Sequence, residues 1–471
     1  MNYEKLYIDG AWVDAHGTGR IDVENPATMQ VIAKVPAGDS EDVARAAEAA
    51  KRAFPLWAAT PMEERIRYMK DMLVQFEGLR DTFVDTIVSE LGSPVTFTES
   101  VQVDYQYTRT HSFIELAETL PLVEKLPNST VYRDPVGVVA CITPWNYPLG
   151  QIVQKVMPAI LTGNTVVLKP SQHTPLTAYW LVEAFHRAGF PNGVINMVTG
   201  RGGEVGNALC DDPHIDMVSF TGSTAAGRTV SQRALGGLKR ISMELGGKSP
   251  CVILPGADYE AAIRACFNTI FFNAGQTCTA QSRLLIPRQS KAALEALMLE
   301  IIGEYTVGDP TNRSSVIGTV ASKQQFTTIS EYIAKGKEEG AVLLYGDEPV
   351  APDCGYYVDP VIFTNVTNDM TIAREEIFGP VLCVIPYDSV EEAVRIANDT
   401  PYGLSGAVWG MKDEAIAVAR HIRTGNVFIN DGPRDVEAPF GGFKSSGIGR
   451  EGGRDGLLEF TEPQALFDNG H

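Results

Sequence analysis

The sequence has no apolar run approaching the roughly 18 residues that a membrane span requires. Its first residues, MNYEKLYIDGAW, set charges where a secretory leader needs unbroken apolar character. Both absences predict a soluble, cytoplasmic protein with no membrane partner. Basic residues are in deficit, 39 Lys and Arg against 58 Asp and Glu, for a formal charge of −19. Such a surface repels phosphate backbones and anionic lipids, which argues against nucleic acid as a partner. No C-x-x-C pair occurs: the seven cysteines, at 141, 210, 251, 266, 278, 354 and 383, are scattered and odd in number. Reduced thiols fit this pattern better than a zinc site or a disulfide framework. The seven histidines form no H-x-x-x-H pair, so no metal site is read. Long polar or repetitive tracts are also missing, which leaves ordinary globular composition, 44% apolar and 21% charged.

A chain of 471 residues exceeds what one hydrophobic core usually serves, so two or three domains are expected. A helix is predicted from Ser40, in SEDVARAAEAAKRAF, with a serine cap and Val43, Ala46, Ala47, Ala50 and Phe54 on one face. More helix follows over 62–91. The proline-broken segment 120–136 reads as extended chain. Thereafter short β-branched runs (VGVVACITP, NTVVLKPS, GVINMVTG, IDMVSFTGS) alternate with helical stretches, which argues for βαβ units and a buried parallel sheet. A second such region follows Cys278, with SRLLIP, PVIFTNV, GPVLCVIPY, LSGAVWG and GNVFIN as strands. The fold class is therefore α/β, and the loops at the carboxyl ends of strands are the places to search for ligands.

Five loops carry candidate chemistry. In TPWNYP, Asn146 stands where a strand ends and could donate to a developing oxyanion, although Asn also simply favours turns. Lys169 ends the next strand before a helix expected to start at proline, where it could bind ribose or phosphate. Gly222 and Ser223, in SFTGSTAAGRTV, open a helix whose N-terminal amides make a weak phosphate signature. Glu244, in MELGGKSP, could act as a general base, and Cys278, in FFNAGQTCTAQ, as a nucleophile. Gly275 suggests a close backbone approach beside that thiol. Each is weak alone, since free cysteine is usually a small buried hydrophobe. Thiol, oxyanion donor and base together make a complete acyl-transfer set.

The ordered motifs PWNYP, LKPS, FTGS, MELGGKSP, GQTC, EEIFGPV and PFGGFKSSGIGRE resemble those of the aldehyde dehydrogenase superfamily, over essentially the whole chain. That resemblance implies a Rossmann-like cofactor domain (1–116 and 137–246), a catalytic α/β domain (247–446), and small oligomerisation strands (117–136 and 461–471). It further implies a homodimer or homotetramer. Cys278 would attack the aldehyde, with Asn146 and the Cys278 amide holding the oxyanion. Hydride would pass to a nicotinamide, and Glu244 would activate the water that hydrolyses the thioester, with Glu451 relaying the proton. Lys169 would bind the adenosine ribose, Ser223 the pyrophosphate, Glu376 the nicotinamide ribose, and Phe378 would pack near the nicotinamide. Ile142, Trp145, Gly222 and Leu245 would complete the cofactor cleft.

One position departs from the family pattern. NAD-preferring relatives commonly carry Glu three residues after the lysine, and here it is Gln172, which no longer repels a 2′-phosphate by charge. NAD use with tolerance of NADP, helped by Arg201, is the expectation. Tyr147, Gln154 and Phe272, with the loop 430–439, are expected to line the substrate tunnel, and Arg434 could meet a substrate carboxylate. The aldehyde itself is not readable. A CoA-acylating relative is the alternative enzyme reading, disfavoured by the presence of Glu244. A non-catalytic protein on the same scaffold is the alternative from another class, disfavoured because no motif residue is missing.

Overall fold

The computed structural model describes residues 1–349 and 354–468. An eight-stranded sheet runs, edge to edge, through Gly447–Ile448, Arg240–Glu244, Met217–Thr221, Val138–Ile142, Thr165–Lys169, Ile195–Met197, Leu6–Ile8 and Ala11–Val13. The middle five strands are mutually parallel, and every residue of Val138–Ile142, Thr165–Lys169 and Met217–Thr221 is buried, as the β-branched runs require. The edges are antiparallel additions that alternation in the sequence did not reveal. Val138–Ile142 has the strand that follows it in sequence on one side and Met217–Thr221 on the other. The strand order reverses there, so the loops after Ile142 and Thr221 splay apart and leave a crevice at the carboxyl ends.

A seven-stranded sheet follows, in the order Val342–Tyr345, Val361–Thr364, Val381–Tyr387, Arg283–Pro287, Pro250–Ile253, Ala407–Trp409 and Phe428–Ile429. All neighbours are parallel except the first pair. One apolar core, drawn from residues between Cys251 and Ile422, serves this sheet. Two others, drawn mostly from residues before Glu244, cover the faces of the first. Glu244 ends the last parallel strand of the first sheet and Pro250 starts a strand of the second. The carboxyl edge of one sheet is therefore tied to the amino edge of the other by five residues of chain. Cys278 precedes Arg283–Pro287, so it sits at an amino edge, where a search confined to carboxyl ends would miss it.

The helices depart from expectation in three local ways. Helix Ser40–Ala59 is capped by Asp39, which accepts from the Glu41 and Asp42 amides, and Ser40 is already helical. The helical stretch 62–91 is two helices, Met62–Gly78 and Arg80–Leu91, broken at Leu79. The helix after Lys169 begins only at Leu176, past Pro175, because the intervening segment makes turns. Segment 120–136 is extended, as read, but it finds a partner next to itself: Val123–Leu126 and Ser129–Pro135 form a hairpin, which Thr461–Phe467 extends. Residues 469–471 of the expected arm lie outside the described residues. Among the described residues no helix is long and apolar enough to cross a membrane, and no group of three or more His, Cys, Asp or Glu could hold a metal ion.

The segment leading to Cys278 is the most constrained backbone in the second half. After helix Tyr259–Phe271, Asn273, Ala274 and Gly275 take φ of 54°, 54° and 73° in succession. Left-handed backbone costs a residue with a side chain about 1–2 kcal/mol, so three in a row need external support. Gly275 provides part of it by abutting Gly379, where a Cβ would come within 2.2 Å of the carbonyl. Gly275→Ala is expected to lower the thermal midpoint and to reduce kcat/KM by more than tenfold. Differential scanning fluorimetry and steady-state assays check both, and wild-type behaviour would show that this contact does not position the thiol.

Candidate active site

The loop that follows Val138–Ile142 and the loop that carries Cys278 are stitched together by buried amides. Asn146 donates through Nδ2 to the Gln276 carbonyl at 2.9 Å. The Asn146 main-chain carbonyl accepts from Gln102 Nε2 at 3.2 Å and Asn273 Nδ2 at 2.9 Å. Gln276 reaches onward, donating to Asn273 and Thr319 carbonyls and accepting from the Ala321 amide. Tyr147 and Thr277 share a hydroxyl hydrogen bond of 2.8 Å. Neither Asn273, Gln276 nor Gln102 stood out in the sequence, because their role lies in contacts with distant chain.

Cys278 is half-buried and forms part of the wall of two cavities. The first, about 250 Å³, opens at the strand-order reversal and is lined by Trp145, Asn146, Gly222, Ser223, Leu245, Glu376 and Phe378 with Cys278. The second, about 150 Å³, is lined by Tyr147, Gln154, Thr277, Thr279, Arg109 and Arg434 with Cys278. Most of the motif residues are thus gathered around the thiol, with cofactor candidates on one side and substrate candidates on the other. Phe272 lines neither: its ring packs 5.8 Å from Phe97 and 6.2 Å from Tyr305. The left-handed turn that begins at the next residue sets that orientation, and periodicity cannot anticipate it. Ile142 is buried at its strand end, and Lys169, Gln172 and Arg201 stand outside both walls.

Glu244 is buried, and neither of its oxygens has a hydrogen-bond partner. Its Oε1 rests against Gly441, where a Cβ would lie 2.7 Å away. Burial raises its pKa well above the carboxylate range, and the charge of Glu451 raises it further. Glu451, equally buried, is bound by the Lys155 ammonium, which also donates to Ser219 at 3.3 Å. Lys155 is a site residue that helical patterning concealed, since it occupies one face of the wholly buried helix Pro148–Leu161. The Cys278 thiol is pushed up to about 12, first by burial, then by Glu376 and Glu244, with Arg434 pulling the other way.

The first cavity suits a ligand rich in hydroxyls and phosphates. Glu376 accepts from the Gly247 amide at 3.0 Å through Oε1, which leaves Oε2 to a ligand, and burial raises its pKa to about 7. Gly246 must lack a side chain, since a Cβ would sit 2.1 Å from Glu376 Oε2. Ser223 caps helix Thr224–Gly236, accepting from the Ala226 amide at 3.2 Å, and the first amides of that helix start at the cavity wall. Gln151 Oε1 and Thr221 Oγ1, from two residues lining this cavity, are buried without partners. Trp145 meets Phe378 edge-on at 5.3 Å and supplies an aromatic wall. Lys169, buried at its strand end, donates only to the Pro170 carbonyl at 3.1 Å, and burial lowers its pKa to about 8.

Comparison with known proteins agrees with this geometry. The aldehyde dehydrogenase family model matches residues 12–466. Aldehyde dehydrogenase C of Pseudomonas syringae, a cysteine-to-alanine mutant complexed with NAD+ and octanal, is 41% identical with a TM-score of 0.97, over 99% of this chain and 96% of that one. The Mycobacterium tuberculosis aldehyde dehydrogenase complexed with NAD+ is also 41% identical, with a TM-score of 0.97 over 100% and 99%. A Staphylococcus aureus protein provisionally named as an aldehyde dehydrogenase is 42% identical over 99% of this chain and 98% of its own. The chain belongs to the aldehyde dehydrogenase family, whose members oxidise an aldehyde to the carboxylic acid with a nicotinamide dinucleotide.

Proposed function

We propose that Cys278 is the nucleophile of this aldehyde dehydrogenase, Asn146 its oxyanion donor and Glu244 its general base. The observation that carries this reading is the position of Cys278 in the wall shared by the two cavities, with Asn146 beside it in the first. A thiol pushed up to about 12 is protonated at neutral pH, so its attack needs a proton acceptor. Glu244, with both oxygens free and its basicity raised by burial, fills that role after its side chain turns from Gly441. Sulfur then adds to the carbonyl carbon, and the Asn146 amide and Cys278 backbone N–H hold the oxygen as it gains charge. When bound, the nicotinamide supplies the acceptor for the hydride that the oxyanion expels. Once Glu244 has released the thiol's proton, it takes one from a water that attacks the resulting thioester; the carboxylic acid leaves, and a proton returned from Glu244 to the thiolate restores the thiol. Glu451, held by Lys155, offers a path onward for that proton.

The cofactor reading rests on Lys169, Ser223, Glu376 and Phe378 as adenosine-ribose, pyrophosphate, nicotinamide-ribose and nicotinamide contacts. NAD is the proposed cofactor, in keeping with the NAD+ complexes of the two solved relatives. NADP is tolerated because Gln172, half-buried, carries no charge against a 2′-phosphate, and Arg201, which follows the next strand, is exposed and free to meet one. The first sheet with its helices is the proposed cofactor domain and the second the catalytic domain. The three-stranded arm, with Val123, Leu126, Leu466 and Phe467 exposed, supports a homodimer or homotetramer. Seven unpaired thiols support a cytoplasmic location.

Cys278→Ala is expected to abolish aldehyde-dependent NADH formation while NAD binding, followed by fluorescence, persists. Glu244→Gln should slow the first-turnover NADH burst as well as lower steady-state turnover by about 10²–10⁴-fold. The base must be ionised to act, and its pKa is raised, so wild-type turnover should climb with pH above the ordinary carboxylate range. Stopped-flow traces and pH profiles check this, and a variant with an unchanged steady state would remove Glu244 from the role. Gln172→Glu should raise the NAD over NADP ratio of kcat/KM by at least about tenfold through charge repulsion. An unchanged ratio would free Gln172 of any part in cofactor choice.

A further inference from the structure

The second cavity presents two cations that take no bond-making part in the chemistry proposed at Cys278. Arg109 and Arg434 both line it, together with Tyr105, Tyr147 and Gln154. The Arg109 guanidinium stacks 4.7 Å from the Tyr105 ring centroid and donates through Nη1 to Gln106 Oε1 at 2.8 Å. Arg434 lies 5.5 Å from the ring centroids of both Phe428 and Phe440. The aromatic rings fix the planes of the guanidinium groups and leave most of their N–H donors uncommitted.

Among the described residues neither arginine forms an ion pair, although the chain carries 58 acidic residues. The acids of the loop that holds Arg434, Asp431, Asp435 and Glu437, are exposed, and Asp435 instead accepts from the Glu437 amide at 2.9 Å. Burial depresses Arg109, and the like charge of Arg434 depresses it further, so the two cations feel one another across the cavity. Gln151, which shares this wall, holds a buried Oε1 with no partner. A purely hydrocarbon chain here would cover the half-buried Arg109 and lie against the exposed Arg434, and return nothing for the water it displaced. An anion would relieve their repulsion and meet their planar forks in the geometry they favour.

We propose that the enzyme's aldehyde carries a carboxylate at its far end, which Arg109 and Arg434 hold while the carbonyl meets Cys278. The inference rests on Cys278 as nucleophile and adds a substrate class, the ω-oxo acids. Arg109 and Arg434 are then specificity-determining residues, and substrates of equal length differ in rate by the presence of one terminal charge.

Steady-state kinetics with NAD on matched pairs, from butanal and 4-oxobutanoate to octanal and 8-oxooctanoate, test this in the intact enzyme. At the best chain length the oxo acid should exceed the alkanal in kcat/KM by at least about tenfold. Arg109→Met and Arg434→Met should each reduce that ratio by about tenfold or more, while Arg109→Lys and Arg434→Lys, which keep the charge, retain most of it. A ratio at or below one at every length, or one that survives both Met substitutions, would overturn the proposal while alkanal oxidation leaves Cys278 in its role. Oxidation of no aldehyde in any pair would overturn the nucleophile reading, and this inference with it.

Discussion

The chemistry depends on a handful of buried amides that clamp two loops from different sheets. Asn273 and Gln276 on one side, Asn146 and Gln102 on the other, exchange hydrogen bonds of 2.9–3.2 Å that link positions 44 to 130 residues apart. They hold a backbone that takes three left-handed residues in succession, a conformation that local sequence alone does not favour. Because the amides are buried, each lost partner leaves an unsatisfied group at about 1–3 kcal/mol, and the clamp has one good arrangement. The Asn146 amide and the segment that carries Cys278 are thereby placed by the same network.

Electrostatics are set by burial rather than by surface charge. Glu244, Glu376 and the Cys278 thiol are all shifted upward mainly by desolvation. Glu451 is held by the ammonium of Lys155. A resting thiol kept protonated is protected from adventitious oxidation, and it becomes nucleophilic only where a base and an electrophile meet. No cysteine adjoins Cys278, so a vicinal disulfide is not open to it. The strand-order reversal in the first sheet opens a crevice, and the five-residue link between Glu244 and Pro250 presents that crevice to the amino edge of the second sheet.

Much of this was legible in the sequence, for identifiable reasons. The parallel strands announce themselves because both faces are buried, which forces continuous β-branched runs. Cys278, Asn146, Glu244 and Glu376 lie in motifs whose residue types are tied to chemistry. The clamp was not legible, since Gln102, Asn273 and Lys155 act through contacts far along the chain, and an amide or a lysine in a helix has no signature of its own. Phe272 lies outside both cavity walls, with its ring against Phe97 and Tyr305 beside the turn that follows it. The full pairing of the arm was not legible either, since Thr461–Phe467, the strand that extends its hairpin, lies far along the chain.

The claim that one network places donor and thiol together is tested most directly by a double-mutant cycle on kcat/KM with Asn146→Ala and Asn273→Ala. The account predicts strong coupling: each single change costs most of the activity, and the pair costs little more than either alone. Losses that simply multiply would contradict it, since Asn273 would then act independently of the oxyanion donor it is held to position.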